Sequence, residues 1–248
     1  APVKIWSEAQ LCATLRDAKP EFRQLALAMA VMPEAPVQAC VPELIVCTKE
    51  ADPAAQQLAV VALGACPASQ ESACALAGML LPEHEMKVRI SAAHSLFRIG
   101  LVPVEAHSGL AQLLVVDEPP ARKIAQMALS LADPSAASAV AQVVGETPAE
   151  NWQIELLTTL ATFAREAGSS KKIEDWLLTT LSTAALRPTG IAGYAALASL
   201  AKGGPGLEAL IKVACDAEDM PARVAALDAI GNLGEIATPI ATRLASLL

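Results

Sequence analysis

The residues able to do chemistry are few and scattered. The 248-residue chain holds three histidines, His84, His94 and His107, and six cysteines, Cys12, Cys40, Cys47, Cys66, Cys74 and Cys215. A zinc site gathers His, Cys or carboxylate ligands at short spacing. Nothing in this chain does so, and no two cysteines form a CxxC pair; no metal and no cofactor is expected. A thiol on the apolar face of a helix behaves as a small hydrophobe. The cysteines therefore read as buried, reduced residues of a cytoplasmic protein, with disulfides of a secreted chain or a distorted metal site as the other accounts. No GxSxG, P-loop or Rossmann glycine pattern is present, and Gly203-Gly204-Pro205-Gly206 reads as a turn because no strand precedes it. No catalytic residue is assigned. One stretch concentrates aromatic and cationic side chains: Trp152, Trp176, Lys171 and Lys172 form a candidate local site, with altered helix packing as the plainer explanation.

The elements that position everything else are helices, and they repeat. Glu85 to Gly100, EMKVRISAAHSLFRIG, aligns with Asp219 to Gly234, DMPARVAALDAIGNLG, in its acid, Met, Arg, Ala, two aliphatic positions and final Gly. With Arg89 as reference, weaker copies fall at Arg23, Gln56, Arg122, Gln153, Gly190 and Arg223, at steps of 33, 33, 33, 31, 37 and 33 residues. A steady period with helical patterning throughout indicates stacked helix pairs, each unable to bury its apolar face alone. The first helices are expected near Pro20–Met32, Pro53–Cys66, Met86–Ile99, Pro119–Leu131, Ala149–Glu166, Thr189–Lys202 and Pro221–Leu233. Second helices are expected near Pro36–Lys49, Ser69–Leu81, Val104–Val116, Ser135–Val144, Lys171–Ala185, Gly206–Cys215 and Ile236–Leu248. Residues 1–19 form an N-terminal capping helix or the remnant of a preceding repeat, and 20–248 form the array, irregular around 149–188. Acids precede four first helices, Asp52, Glu85, Glu118 and Asp219, where they favour the positive end of the helix dipole. Three of them stand one turn before Arg89, Arg122 and Arg223, a spacing that permits ion pairs along the helix.

Composition agrees. Ala-rich aliphatics dominate and only three Phe, three Trp and one Tyr occur, as thin layers of closely approaching helices require. A net charge of −8 argues against nucleic acid. The longest uncharged run, residues 53–70, is broken by Pro67 and polar side chains, so no membrane span is expected. The terminal ASLL lacks a polar cap, so a terminal repeat is expected to continue in a longer chain or to dock on a partner.

The acid in the loop, the Arg one turn on and the run A-x-x-A-L-x-x-I/L-G resemble HEAT repeats, the short variety found in many bacterial proteins, over roughly residues 20–248. The resemblance implies an all-α, right-handed α-solenoid (an armadillo-like superhelix) of about seven helix pairs, with first helices on the convex side and second helices lining the concave side. Aligned second helices then share one position that escapes the apolar rule: Glu43, Gly78, Gln112, Gln142, Thr179, Lys212 and Thr242. This row is the expected inner surface, and a non-catalytic scaffold gripping a protein or peptide is the expected function. The alternative from the same resemblance is a bilin-lyase-like protein handling a tetrapyrrole. Iron-holding HEAT-repeat hydroxylases carry several His-Glu pairs where this chain has only His84-Glu85, and a DNA-binding groove would need a basic inner row.

Overall fold

The computed structural model describes residues 6–17, 19–33, 35–148, 151, 153–167, 188–200 and 203–240. Every regular element among them is helical. The chain divides into two compact units, Ala1–Asp133 and Pro134–Leu248.

In the first unit, α1 (Glu8–Leu15) is followed by four first helices: α2 (Pro20–Ala30), α4 (Pro53–Leu63), α6 (Met86–Ile99) and α8 (Pro119–Leu129). They alternate with the second helices α3 (Val41–Cys47), α5 (Gln70–Gly78) and α7 (Val104–Leu113). Their starts follow from local chemistry. Pro at the first helical position loses no intrahelical hydrogen bond, and Pro20, Pro53 and Pro119 each open a helix. The Asp52 carboxylate accepts from the backbone N–H of Ala54 and Ala55 at 3.2 and 3.3 Å. Glu85 and Glu118 stand at N-cap positions without such a bond. Ser7 and Gln10 close a capping box at α1. Gly100 ends α6 with φ +71°, a left-handed turn that a side chain disfavours. Between α2 and α3 the expected single helix from Pro36 is instead a 3-10 turn, Gln38–Cys40, running into α3.

First helices stack on first helices: α2 on α4, α4 on α6, α6 on α8. Second helices follow suit, and α1 joins that second row by packing on α2 and α3. Each contact seam is lined by small residues. Ala26, Ala59, Ala92 and Ala125 are all fully buried, with Leu27, Leu63, Leu96 and Leu129 beside them.

The recurrent Arg does something other than pair with the acid one turn before it. Arg89 is buried and its Nε donates to the Leu80 carbonyl at 2.9 Å; Arg223 Nε donates to the Ala214 carbonyl at 3.1 Å. Both acceptors lie nine residues upstream, Ala214 in the last turn of the preceding second helix and Leu80 two residues past the end of α5. Arg122 likewise donates to the carbonyls of Val116 and Asp117 at 2.9 and 3.0 Å. The expected ion pairs of Arg89 with Glu85 and Arg223 with Asp219 are replaced by these bonds. The last carbonyls of a helix lack intrahelical donors and carry the negative end of the dipole, so a guanidinium there is doubly favoured.

The second unit contains α9 (Ala136–Glu146), α10 (Ile154–Ala167), α11 (Pro188–Leu200), α12 (Gly204–Asp216) and α13 (Met220–Asn232). Neighbours pack in chain order, α9 on α10, α10 on α11, α11 on α12 and α12 on α13, and α11 also meets α13. The approach of α12 to α11 depends on Gly206, where a Cβ would stand 2.4 Å from the Ala198 nitrogen. The expected last helix begins as a 3-10 segment, Gly234–Ile240. The second helix expected at Lys171–Ala185 lies outside the described residues.

Leu96 is fully buried between layers. The substitution Leu96→Asp places an uncompensated charge there, at a cost of about 3–5 kcal/mol. Thermal or urea melts should show loss of the cooperative transition; an unchanged melt would show that Leu96 faces solvent.

Candidate functional site

The second helices present the surface expected to grip a partner. In the first unit Gly78 on α5 is exposed and Gln112 on α7 is half-buried; in the second, Gln142 on α9 and Lys212 on α12 are exposed. Gln142 Nε2 donates to Glu146 Oε1 at 2.8 Å. Thr179, Thr242, Trp152, Trp176, Lys171 and Lys172 lie outside the described residues.

Glu43 does not belong to that row. It is buried on α3, where its Oε1 accepts from Arg16 Nε at 2.7 Å and also from Nη2. Its second oxygen, Oε2, is buried without a partner. The reason is register. One period of 33 residues on from Glu43 is Leu76, which is fully buried, whereas Gly78 corresponds to Ile45, a half-buried residue. The 3-10 turn ahead of α3 winds with about three residues per turn rather than 3.6, so aligning α3 by its apolar letters placed it two residues out. The signal that would have found the true role is a separation: Arg16–Glu43 and Arg23–Glu50 both span 27 residues. Arg23 holds both Glu50 oxygens, at 2.7 and 3.1 Å, while its Nη1 donates to the Asp17 carbonyl.

The cysteines are not all reduced. Cys12 on α1 and Cys40 are joined in a disulfide with Cα atoms 5.1 Å apart, a separation suited to bridging. Cys12 and Cys40 are apolar-face positions as expected, but on facing elements, so the two thiols meet. Cys47 and Cys66 are buried and free, Cys74 is exposed and Cys215 half-buried. Burial, with the Glu50 charge adding to it, pushes the Cys47 thiol up to about 11, and burial alone takes Cys66 to about 11. Neither forms the thiolate a nucleophile needs at neutral pH.

Among the described residues no three His, Cys, Asp or Glu side chains are grouped to hold a metal. His94 is exposed, as its place opposite Asp228 in the aligned repeat suggests. His107 is buried on α7 with Nε2 unpartnered. Desolvation holds its imidazole below the ordinary value, against the opposing pull of Asp133 and Glu105. Also among the described residues, no helix is long and apolar enough to cross a membrane.

No protein-family model matches the sequence, and no curated protein matches it. Solved structures do. A designed armadillo repeat protein in complex with the peptide (KR)4 is 15% identical with TM-score 0.52, covering 90% of this chain and 99% of that one. Two crystal structures of engineered proteins each reach TM-score 0.50. One is 18% identical over 92% of this chain and 99% of its own; the other is 20% identical over 90% and 67%. At such identities the likeness is one of fold, and the fold is an all-α helical-repeat solenoid.

The disulfide sets a thiol count. Denatured protein kept from reductant should titrate four thiols with Ellman's reagent and six after reduction; six without reduction would show that the bridge is absent. His107 sets a pH response. Because its folded value is depressed, the unfolded chain takes up more protons as pH falls below about 6.5, and stability present above that pH is lost below it. Urea melts at pH 7 and pH 5 should show a smaller loss for His107→Leu than for the unsubstituted chain; equal losses would dismiss the histidine as the cause.

Proposed function

We propose that this chain is a non-catalytic scaffold of HEAT-type repeats that binds an extended protein or peptide segment along its second helices. The observation that carries this reading is that Gln112 in the first unit, and Gln142 and Lys212 in the second, stand at exposed or half-buried positions of second helices whose other faces are closed by Leu and Val. A side-chain amide both donates and accepts, so a series of them can satisfy the backbone N–H and C=O groups of an extended peptide without regard to its sequence. The (KR)4-bound designed protein lends support, since a chain of this fold occurs in complex with a peptide. Thr179 and Thr242 are proposed as further members of this set, and residues 1–19 as a capping helix or the remnant of a preceding repeat. The disulfide favours an oxidising compartment over the cytoplasm.

The test is a panel of fluorescein-labelled extended peptides of basic, neutral and acidic composition, read by anisotropy. At least one should bind, and Gln112→Glu, Gln142→Glu and Lys212→Glu together should weaken it at least tenfold, about 1.4 kcal/mol. Binding indifferent to the triple substitution, with folding unchanged by circular dichroism, would sink this reading.

A further inference from the structure

The seam between α1 and the start of α3 is closed by bonds of two kinds. One is covalent, the Cys12–Cys40 bridge. The others are polar and face water: Arg16, whose side chain is 68% exposed, donates to Glu43, and the Ala39 N–H donates to Glu8 Oε1 at 2.8 Å. Apolar packing adds little, because α1 buries three side chains, those of Leu11, Cys12 and Leu15. A helix of eight residues does not hold its shape alone, since isolated helices shorter than about 12 residues are marginal in water. The order of α1 therefore comes from this seat on the 3-10 turn and α3, and from its packing on α2.

Glu43 works against the seat. It occupies the layer position that Leu76 fills one period on, and among the described residues its buried Oε2 has no partner. A carboxylate oxygen without a donor gives up its hydration and gains nothing in exchange. Water entering the seam would rehydrate it, whereas Arg16 is already largely solvated and loses little when the pair parts. The bridge thus favours a closed seam and Glu43 an open one, and a single bond that thiols can cut decides between them.

We propose that this seam is a redox-gated latch: closed while Cys12–Cys40 is oxidised, and open, with α1 unwound from the 3-10 turn and α3, once a dithiol reductant has cut the bridge. One thiolate of the reductant attacks a bridge sulfur, the S–S bond breaks, and the other cysteine leaves as a thiolate that takes up a proton. The second thiol of the reductant, deprotonated, then displaces the attacked cysteine from the mixed disulfide. Two electrons and two protons pass to the cysteines, and the reductant ends as a cyclic disulfide. Cys12 keeps 8% of its surface exposed and Cys40 none, which makes Cys12 the point of attack and Cys40 the leaving group. Cys47 and Cys66 do not compete for the bridge, because both are buried and held as thiols. Any chain ahead of α1 would move with it, and the latch stands whether or not the second helices grip a peptide.

The test uses the full chain, dithiothreitol as the reductant and amide hydrogen exchange as the readout. Reduction without denaturant should speed exchange in residues 8–15 about tenfold or more and leave α6, Met86–Ile99, unchanged. Cys12→Ser combined with Cys40→Ser should match the reduced chain with no reductant present. Glu43→Leu, which installs the residue used one period on, should keep residues 8–15 slow after reduction. Unchanged exchange there in a chain that titrates six thiols overturns the proposal. So does equal acceleration in α6, which marks general unfolding, or equal acceleration of residues 8–15 in reduced Glu43→Leu, which removes Glu43 as the cause of opening. A bridge that yields to dithiothreitol only after denaturation is a permanent clamp, and overturns the proposal too.

Discussion

The close approach of one first helix to the next governs the first unit. Ala26, Ala59, Ala92 and Ala125 recur at 33-residue steps, and each is wholly removed from solvent. Helix axes come within about 8 Å only when the residues at the crossing are small. Once they do, backbone atoms come within reach of neighbouring side chains: Ser95 reaches the Val60 carbonyl, and Gly64 must lack a side chain to allow it. A larger residue at one of these alanines would force neighbouring helices apart, and every contact on either side would be lost with it.

A solenoid of short helices has many helix ends, and each leaves carbonyls without partners. Arg223 reaches back to the Ala214 carbonyl in the last turn of the preceding second helix, Arg89 to the Leu80 carbonyl just past the end of its own, and Arg122 to the loop carbonyls of Val116 and Asp117, so one residue type at one repeated position ties three first helices to the chain before them. The Arg is thereby a joint between successive pairs. Its charge is tolerated in a buried place because carbonyl oxygens replace the water it gives up, although desolvation still lowers the Arg89 proton affinity.

The fold was legible from the sequence because the first helices announce themselves locally. Pro53 and Pro119 open their helices where expected, Gly100 ends α6, and Met86–Ile99 is bounded as read. The second helices are shorter and carry fewer such marks, and α3 slipped by two residues because a 3-10 turn precedes it. What the letters could not show were bonds between neighbouring repeats. The Cys12–Cys40 bridge, Arg16 on Glu43, Arg23 on Glu50, and Gln57 on Ser91 join residues 27 to 34 apart, and no pattern within a single helix encodes such a partner.

The bridge between α1 and the entrance to α3 bears on how the array comes apart. Stacked repeats fray from their ends, where each unit has a neighbour on one side only. Here a covalent link 28 residues in span encloses the last residues of α1 and all of α2, so opening of these two helices leaves them tethered at the entrance to α3. Reduction would release the tether and leave α1 and α2 held to the array by packing and ion pairs alone.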